Sequence, residues 1–317
     1  MCPFCFYFCM QIMLKTDMEN KKSLVGAWVE AARPRTLPAS VSPVLLGCAL
    51  AYYDGVFDVV PAVLCLLVAL FAQIASNFAN DYFDFKKGAD REDRLGPERA
   101  VAEGWITPKA MLVGTFVTLG LACAAGLLLV CFADWRLIGV GIAIAICVLA
   151  YSAGPFPLAY NGLGDVCVLL FYGVIPVCFT YYIQTLNFSL LSFLLSVALG
   201  LLSVNILIVN NYRDYEQDKA ARKRTTIVLF GRRAGRVFYV LNECLAFLLV
   251  LPLILDAPWW ILFLFGILFA LCFYTTRELF TLEGRALNRT LGHTARNVFL
   301  FASVLSLLFL YIGGVSN

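Results

Sequence analysis

Histidine is nearly missing from this chain: His293 is the only one among 317 residues. A catalytic or metal centre built on several imidazoles is therefore excluded, and His293, in a polar loop-to-helix stretch, reads as a surface residue. Charge is scarce as well. Asp, Glu, Lys and Arg make up 14% of the residues, while 61% are hydrophobic. A soluble domain carries roughly twice that charged fraction, so a soluble globular fold is excluded. The net charge of +3 is too small for a nucleic-acid binder, and no nucleic-acid partner is expected. A disulfide or zinc framework is also lacking. The twelve cysteines are scattered, and Cys65, Cys123, Cys147 and Cys178 sit inside apolar runs as small hydrophobes. Cys2 and Cys5 have CxxC spacing but no second pair or histidine nearby, so no metal or redox role is expected of them.

The segment 1–22 has no basic stretch ahead of its short apolar run and no small-residue cleavage site after it, which makes it a poor signal peptide. Met13 and Met18 offer alternative starts, and residues 1–22 read as a disordered or mis-started extension of a single transmembrane domain over 23–317. What the chain does have is long apolar runs. Nine are long enough to cross a bilayer, at roughly 37–55, 58–80, 108–132, 136–154, 162–184, 188–213, 234–255, 258–277 and 296–314. The expected fold is an all-α integral membrane bundle of nine helices, with the lipid bilayer as its surroundings.

Lys and Arg fall almost entirely in alternate connections. The N-terminal arm and the loops after the second, sixth and eighth spans hold them, whereas the other connections hold Asp54, Asp58, Asp134, Asp256 and the single Arg136. By the positive-inside rule the N-terminus and the basic loops are cytoplasmic. The second and sixth spans then run in the same direction and end on the same face, both in acid-rich sequence: "NFANDYFDFKKGADR" from Asn77 and "NNYRDYEQDKAARKR" from Asn210. Asn77, Asp81 and Asp84 are spaced i, i+4, i+7 with Asn80 beside them, and Asn210, Asp214 and Asp218 are spaced i, i+4, i+8, so each set is expected on one helix face. Carboxylates crowded at a membrane boundary are costly unless a cation neutralises them. Oxygen-only ligands favour Mg²⁺, which commonly completes its shell with phosphate oxygens. Nearby Lys86, Lys87, Arg91, Arg222, Lys223 and Arg224 suit a multiply charged phosphate. Arg232, Arg236, Lys109 and Arg285 read as ordinary solvated or topology-setting charges.

These stretches resemble the aspartate-rich motifs of the UbiA-type membrane prenyltransferases. The first motif appears as Asn80-Asp81-Tyr82-Phe83-Asp84, with Gly88 where a further aspartate would fall and Asp90 two residues later; the second appears as Asp214-Tyr215-Glu216-Gln217-Asp218. Four blocks, "ARPRTLPASVSPVLLG", "NDYFDFKKGAD" with "LGPERAVAEGWITP", "YSAGPFPLAYNGLGD" and "NNYRDYEQDKAARKRT", are similar to the branch acting on 1,4-dihydroxy-2-naphthoate in menaquinone biosynthesis. In place of the YxxxK element of the 4-hydroxybenzoate branch, Tyr151 is followed by Pro155, which leaves open the residue that supports the acceptor there.

The resemblance implies a polyprenyl diphosphate donor, an aromatic acceptor, and prenylation with loss of CO₂, a proton and diphosphate. It places the protein in the bacterial cytoplasmic (inner) membrane with the site on the cytoplasmic side. Mg²⁺ would be held by Asp84 with Asn80 and Asp81, and by Asp214 and Asp218. Asn77, Asn210, Asn211, Lys86, Arg91, Arg222 and Lys223 would contact substrate, and Arg35 would hold the acceptor carboxylate. Tyr82, Tyr151, Phe156, Tyr160 and Tyr212 are the aromatic candidates for shielding an allylic cation. Family members acting on 4-hydroxybenzoate, haem or chlorophyllide remain open at this point, as does a cation-coupled transporter, which would place its carboxylates nearer the midplane.

Overall fold

The structure is a computed structural model that describes residues 23–88 and 94–316, and every element among them is a helix. A short amphipathic helix α1 (Leu24–Ala32) leads into α2 (Leu37–Tyr53), followed by α3 (Val59–Lys86), α4 (Pro108–Leu129) and α5 (Leu137–Ala150). The next span starts as α6 (Gly164–Leu169), passes through a π turn at Leu170–Val174 and continues as α7 (Ile175–Thr185). Then come α8 (Leu190–Arg213), the short α9 (Tyr215–Ala220), α10 (Thr226–Leu255), α11 (Trp259–Thr281) and α12 (Leu287–Ser316). Eight of these helical stretches are long and apolar enough to cross a membrane; α5, at 14 residues, is the shorter apolar helix at the place of the expected fourth span.

The starts of the long helices follow from short polar side chains that accept from otherwise orphaned first-turn amides. Asp58 accepts from Val60 N, Thr107 from Ala110 N, Ser189 from Ser192 N and Thr225 from Val228 N. Pro108 occupies the first position of α4, where its missing N–H costs nothing. Gly231 adopts φ 85°, ψ 163° and breaks α10 near its start. The sixth span ends at Arg213 as expected, whereas α10 starts at Thr226 instead of 234 and α12 at Leu287 instead of 296. Helix α3 runs six residues past Asn80, because the acidic stretch stays helical and is packed, not solvated. Helix α8 ends at Arg213 and Asp214 is non-helical before α9 begins at Tyr215, so Asp214 and Asp218 do not continue the face of Asn210 on one straight helix.

Lipid is as apolar as leucine, so packing among these helices depends on close approach and polar bridges, not on burial from water. Helix α8 forms the axis and packs against α2, α7, α10 and α12. A Cβ on Gly173 would lie 2.5 Å from the Gly200 Cα, so the π turn and α8 meet backbone to backbone. Asn205 Nδ2 donates to the Tyr239 carbonyl and Asn242 Nδ2 to Asn205 Oδ1, tying α8 to α10. Asn297 Nδ2 donates to the Thr275 hydroxyl, tying α12 to α11.

The connections expected to be cytoplasmic meet at one end of the bundle. Arg213 at the end of α8 donates to Asn288 Oδ1 at the start of α12, and Asn288 Nδ2 donates to the Leu95 carbonyl in the α3–α4 loop. The acidic connections gather at the other end, where Tyr181 and Tyr182 donate to Asp54 and Asp134. At the basic end the burial of Arg213 is the unusual feature: it is 1% exposed and bonded to Asp214, Asn210 and Asn288.

Candidate active site

An α-helix turns about 100° per residue, so residues 73, 77, 80 and 84 of α3 fall within an arc of about 60°. Gln73, Asn77, Asn80 and Asp84 all line one cavity of about 550 Å³. Asp81 lies about 40° beyond the edge of that arc. It is 2% exposed and its carboxylate accepts from the Ala100 and Val101 amides, so it braces the α3–α4 loop and does not line the cavity. The expected face of Asn77, Asp81 and Asp84 is thus corrected by one helical position: Asn80 replaces Asp81.

Asp84 accepts from the Tyr160 hydroxyl at 2.9 Å and from Arg99 Nη2 at 3.3 Å. Tyr160 in turn lies against two lysines: Lys87 Nζ is 4.4 Å and Lys223 Nζ 5.4 Å from its ring centroid. Lys87 also donates to the Ser152 carbonyl, and the Ser152 hydroxyl donates to Asn80 Oδ1. Lys223 stands 3.5 Å from Asp218 Oδ1. The two acidic motifs, 130 residues apart in sequence, therefore converge on one tyrosine and two lysines, of which Tyr160 and Lys223 line the mouth of the cavity with Asp84 while Lys87 and Asp218 lie just behind them.

Electrostatics at this mouth is set by burial and by the crowding of like charges. Asp218 is 7% exposed, and burial pushes its carboxyl up to about 6; Lys223 opposes the rise, while Asp214 and Asp84 add to it. Burial works against the charge of Lys223, but Asp218, Asp84 and Asp214 outweigh it, so its pKa is raised. Asp218 Oδ2 is buried with no hydrogen-bond partner. A buried carboxylate oxygen left unbonded among hard oxygen donors is the kind of position a divalent cation fills. Among the described residues no three carboxylate, imidazole or thiol groups come together as a ready-made metal cage. The unbonded Asp218 oxygen and the carboxylate of Asp84 are hard oxygen donors of the kind that fit Mg²⁺.

The other expected residues separate clearly. Asn77, Asn210, Asn211 and Tyr151 line the cavity. Asn210 Oδ1 accepts from Arg213, and Asp214 forms a two-pronged pair with the same guanidinium, so Asp214 is tied to the lining residue Asn210 through Arg213 but, like Asp218, does not itself line the cavity. Lys86 is exposed near Tyr82, and Arg222 has a positive φ of 55°; neither lines the cavity. Arg35 is exposed in the turn Pro34–Thr36, whereas Arg33, two residues earlier and at φ 54°, lines the cavity. Arg91 and Asp90 lie outside the described residues. Of the aromatic candidates Tyr151 and Tyr160 line the cavity; Phe156 is exposed, Tyr82 packs on Phe83, and Tyr212 stacks under Arg232 and Arg236. His293 is also more than a surface residue, since its Nδ1 lies 2.8 Å from the buried Glu278. Arg99 and Arg213 were concealed in the sequence because a buried arginine in a basic loop reads like a topology signal.

Below the mouth the cavity becomes apolar. It passes Ala69, Val68 and Cys65 on α3 and reaches Leu129, Leu137 and Ile183. Asp84 and Cys65 are 19 residues apart on α3, a rise of about 28 Å. A charged mouth above a long apolar channel matches an amphiphile with an anionic head and a hydrocarbon tail.

The chain matches the UbiA prenyltransferase family over residues 40–304. It is 37% identical over 235 residues to a 1,4-dihydroxy-2-naphthoate octaprenyltransferase of Haemophilus influenzae, covering 72% of this chain and 76% of that protein. A protein of the same name from Escherichia coli is 37% identical over 229 residues, covering 70% and 74%. In fold it is similar to a UbiA homolog from Archaeoglobus fulgidus bound to GPP and Mg2+, with a TM-score of 0.61 at 20% identity, over 89% of this chain and 97% of that one. A converging pair of acidic helix ends, an apolar channel beneath them and a match across most of the sequence lead to one conclusion: the chain belongs to the UbiA prenyltransferase family, as an integral membrane enzyme.

Proposed function

We propose that the protein transfers a polyprenyl group from polyprenyl diphosphate to 1,4-dihydroxy-2-naphthoate, releasing diphosphate and CO₂, and that it requires Mg²⁺. The observation that carries this reading is the meeting of Asp84 and Asp218 beside Lys223 and Tyr160 at the head of the channel. The names of the relatives at 37% identity supply the acceptor.

Asp84, Asp214 and Asp218, with Asn80, are the residues to hold Mg²⁺; the ion supplies Lewis-acid neutralisation of the departing diphosphate. Lys223 and Lys87 add fixed positive charge to the same oxygens, so charge that develops as the allylic C–O bond ionises meets preorganised partners. The Tyr160 and Tyr151 rings face the cavity and offer π density to the allylic cation. The apolar channel walls keep water from that cation. Arg33 takes the place expected of Arg35 as the cation for the acceptor carboxylate. The reading includes α5 as a ninth crossing and a location in the bacterial inner membrane; the gathering of basic loops at one end supports a cytoplasmic N-terminus and a site on the cytoplasmic side.

The test uses membranes containing the protein, Mg²⁺, a polyprenyl diphosphate and 1,4-dihydroxy-2-naphthoate. Demethylmenaquinol is expected, with EDTA, Asp84→Ala and Asp214→Ala each abolishing it. Product that persists under all three conditions would refute the mechanism.

A further inference from the structure

The loop that follows α5 ends on an acid that neither aspartate-rich motif uses. Asp165 occupies the first turn of α6, where the helix dipole favours a negative charge. It lines the cavity together with Thr226, whose hydroxyl stands beside its carboxylate. Its Oδ1 is buried without a hydrogen-bond partner. The rest of the neighbourhood is aromatic and small. The Tyr151 hydroxyl lies 3.5 Å from where a Cβ on Gly164 would sit, and a side chain at position 164 would also press on Leu207 at 3.2 Å. Glycine at 164 thus keeps open space next to Tyr151, and Tyr151, Asp165 and Thr226 all line the cavity. Thr226 follows Thr225 and Lys223 along the same wall, so this space adjoins the charged mouth.

An unbonded carboxylate oxygen in such a place is costly unless a donor arrives with the substrate. The diphosphate carries no proton to give at neutral pH and repels a carboxylate. A ring hydroxyl supplies the donor that Asp165 Oδ1 lacks. We propose that Asp165 receives the ring hydroxyl of the aromatic acceptor and acts as its base. This rests on the aromatic acceptor of the proposed function. The hydroxyl ortho to the carboxylate-bearing carbon gives its proton to Asp165 Oδ1, and the naphtholate electron pair forms the new C–C bond as the allylic C–O bond breaks and diphosphate leaves. The bond from the same ring carbon to the carboxylate then breaks. CO₂ departs, its electron pair restores the aromatic ring, and the ring oxygen takes the proton back from Asp165. Asp165 ends as it began.

The experiment uses the full-length protein in lipid nanodiscs as wild type, Asp165→Asn and Asp165→Glu. Binding of 1-hydroxy-2-naphthoate, which keeps the ortho hydroxyl and carboxylate, is followed by its own fluorescence. Turnover is measured with a prenyl diphosphate, Mg²⁺ and 1,4-dihydroxy-2-naphthoate. Asp165→Asn is expected to weaken the naphthoate about tenfold or more and to lower kcat on the order of 10² or more. The KM for the prenyl diphosphate stays unchanged, and Asp165→Glu recovers part of both losses. Retained binding of a prenyl thiolodiphosphate shows that the variant is folded. If Asp165→Asn fails that control, Asp165→Ser, equally unable to take the proton, is held to the same criteria. Wild-type affinity and turnover in the proton-blind variant overturn the proposal, as does a wild type that does not bind the naphthoate. A wild type that binds it through Asp165 yet does not prenylate dihydroxynaphthoate sustains the base and removes the acceptor assignment instead.

Discussion

Neutralising Asp218 should make the metal-free protein more stable while destroying its activity. Burial and two neighbouring carboxylates raise its pKa from the ordinary 3.8 to about 6 in the folded state, in spite of Lys223 at 3.5 Å. The folded protein therefore holds a proton that the unfolded chain has already lost. The penalty for ionising this group in place is absent below pH 3.8, grows between pH 3.8 and 6, and reaches about 3 kcal/mol well above pH 6. Asp218→Asn removes the charge with little change of shape, and Lys223 still faces Asp84 and Asp214. Thermal unfolding of the EDTA-treated protein, measured from about pH 4 to 8, should show the Asn variant matching wild type at the acid end. At the alkaline end the variant should exceed it by up to about 3 kcal/mol. Added Mg²⁺ and prenyl diphosphate should reverse the order, because ligand stabilises only the form that binds it. An Asn variant less stable than wild type at the alkaline end, or a difference that does not change with pH, would refute the reasoning.

Arg213→Met should be far more damaging than its position in a basic loop implies. It removes the partner of Asp214, Asn210 and Asn288 at once and leaves a half-buried carboxylate unpaired, at a cost of about 3–5 kcal/mol in unfolding free energy. Asp81→Asn should act through the loop and not through the metal: proteolytic nicking of the segment 94–107 rises as the Ala100 and Val101 amides lose charge-assisted bonds worth about 1.5–3 kcal/mol each, while Mg²⁺ affinity, read by calorimetry with a thiolodiphosphate, stays near wild type. Gly173→Ala should destabilise by about 1–3 kcal/mol, since its Cβ would meet the Gly200 Cα at 2.5 Å, and the loss should appear as a lower unfolding temperature.

The membrane bundle was legible because apolar runs of about twenty residues match the thickness of a bilayer and rarely occur in a water-soluble fold. The end at which the acids gather was legible because positive charge marks one side. Angles and burial were not. Asp81 and Asp84 share a motif and their directions differ by only about 60°, so only contact with the Ala100 and Val101 amides shows that Asp81 points away from the cavity. Arg33 and Arg35 differ by two residues in a sequence that reads the same for both, but the left-handed turn at Arg33 sends one to the cavity and the other to the surface. Arg213, Arg99 and Tyr160 depend on neighbours far along the chain, so local pattern carried no sign of which of the many arginines and tyrosines would be buried.

The claim that two acidic helix ends grip one ion-bound diphosphate is tested most directly by electron paramagnetic resonance of Mn²⁺ substituted for Mg²⁺, titrated with and without a prenyl thiolodiphosphate. The wild type should bind Mn²⁺ tightly only when the thiolodiphosphate is present, and Asp84→Ala and Asp218→Ala should each abolish that coupled binding. Coupled binding that survives intact in either variant would contradict the account.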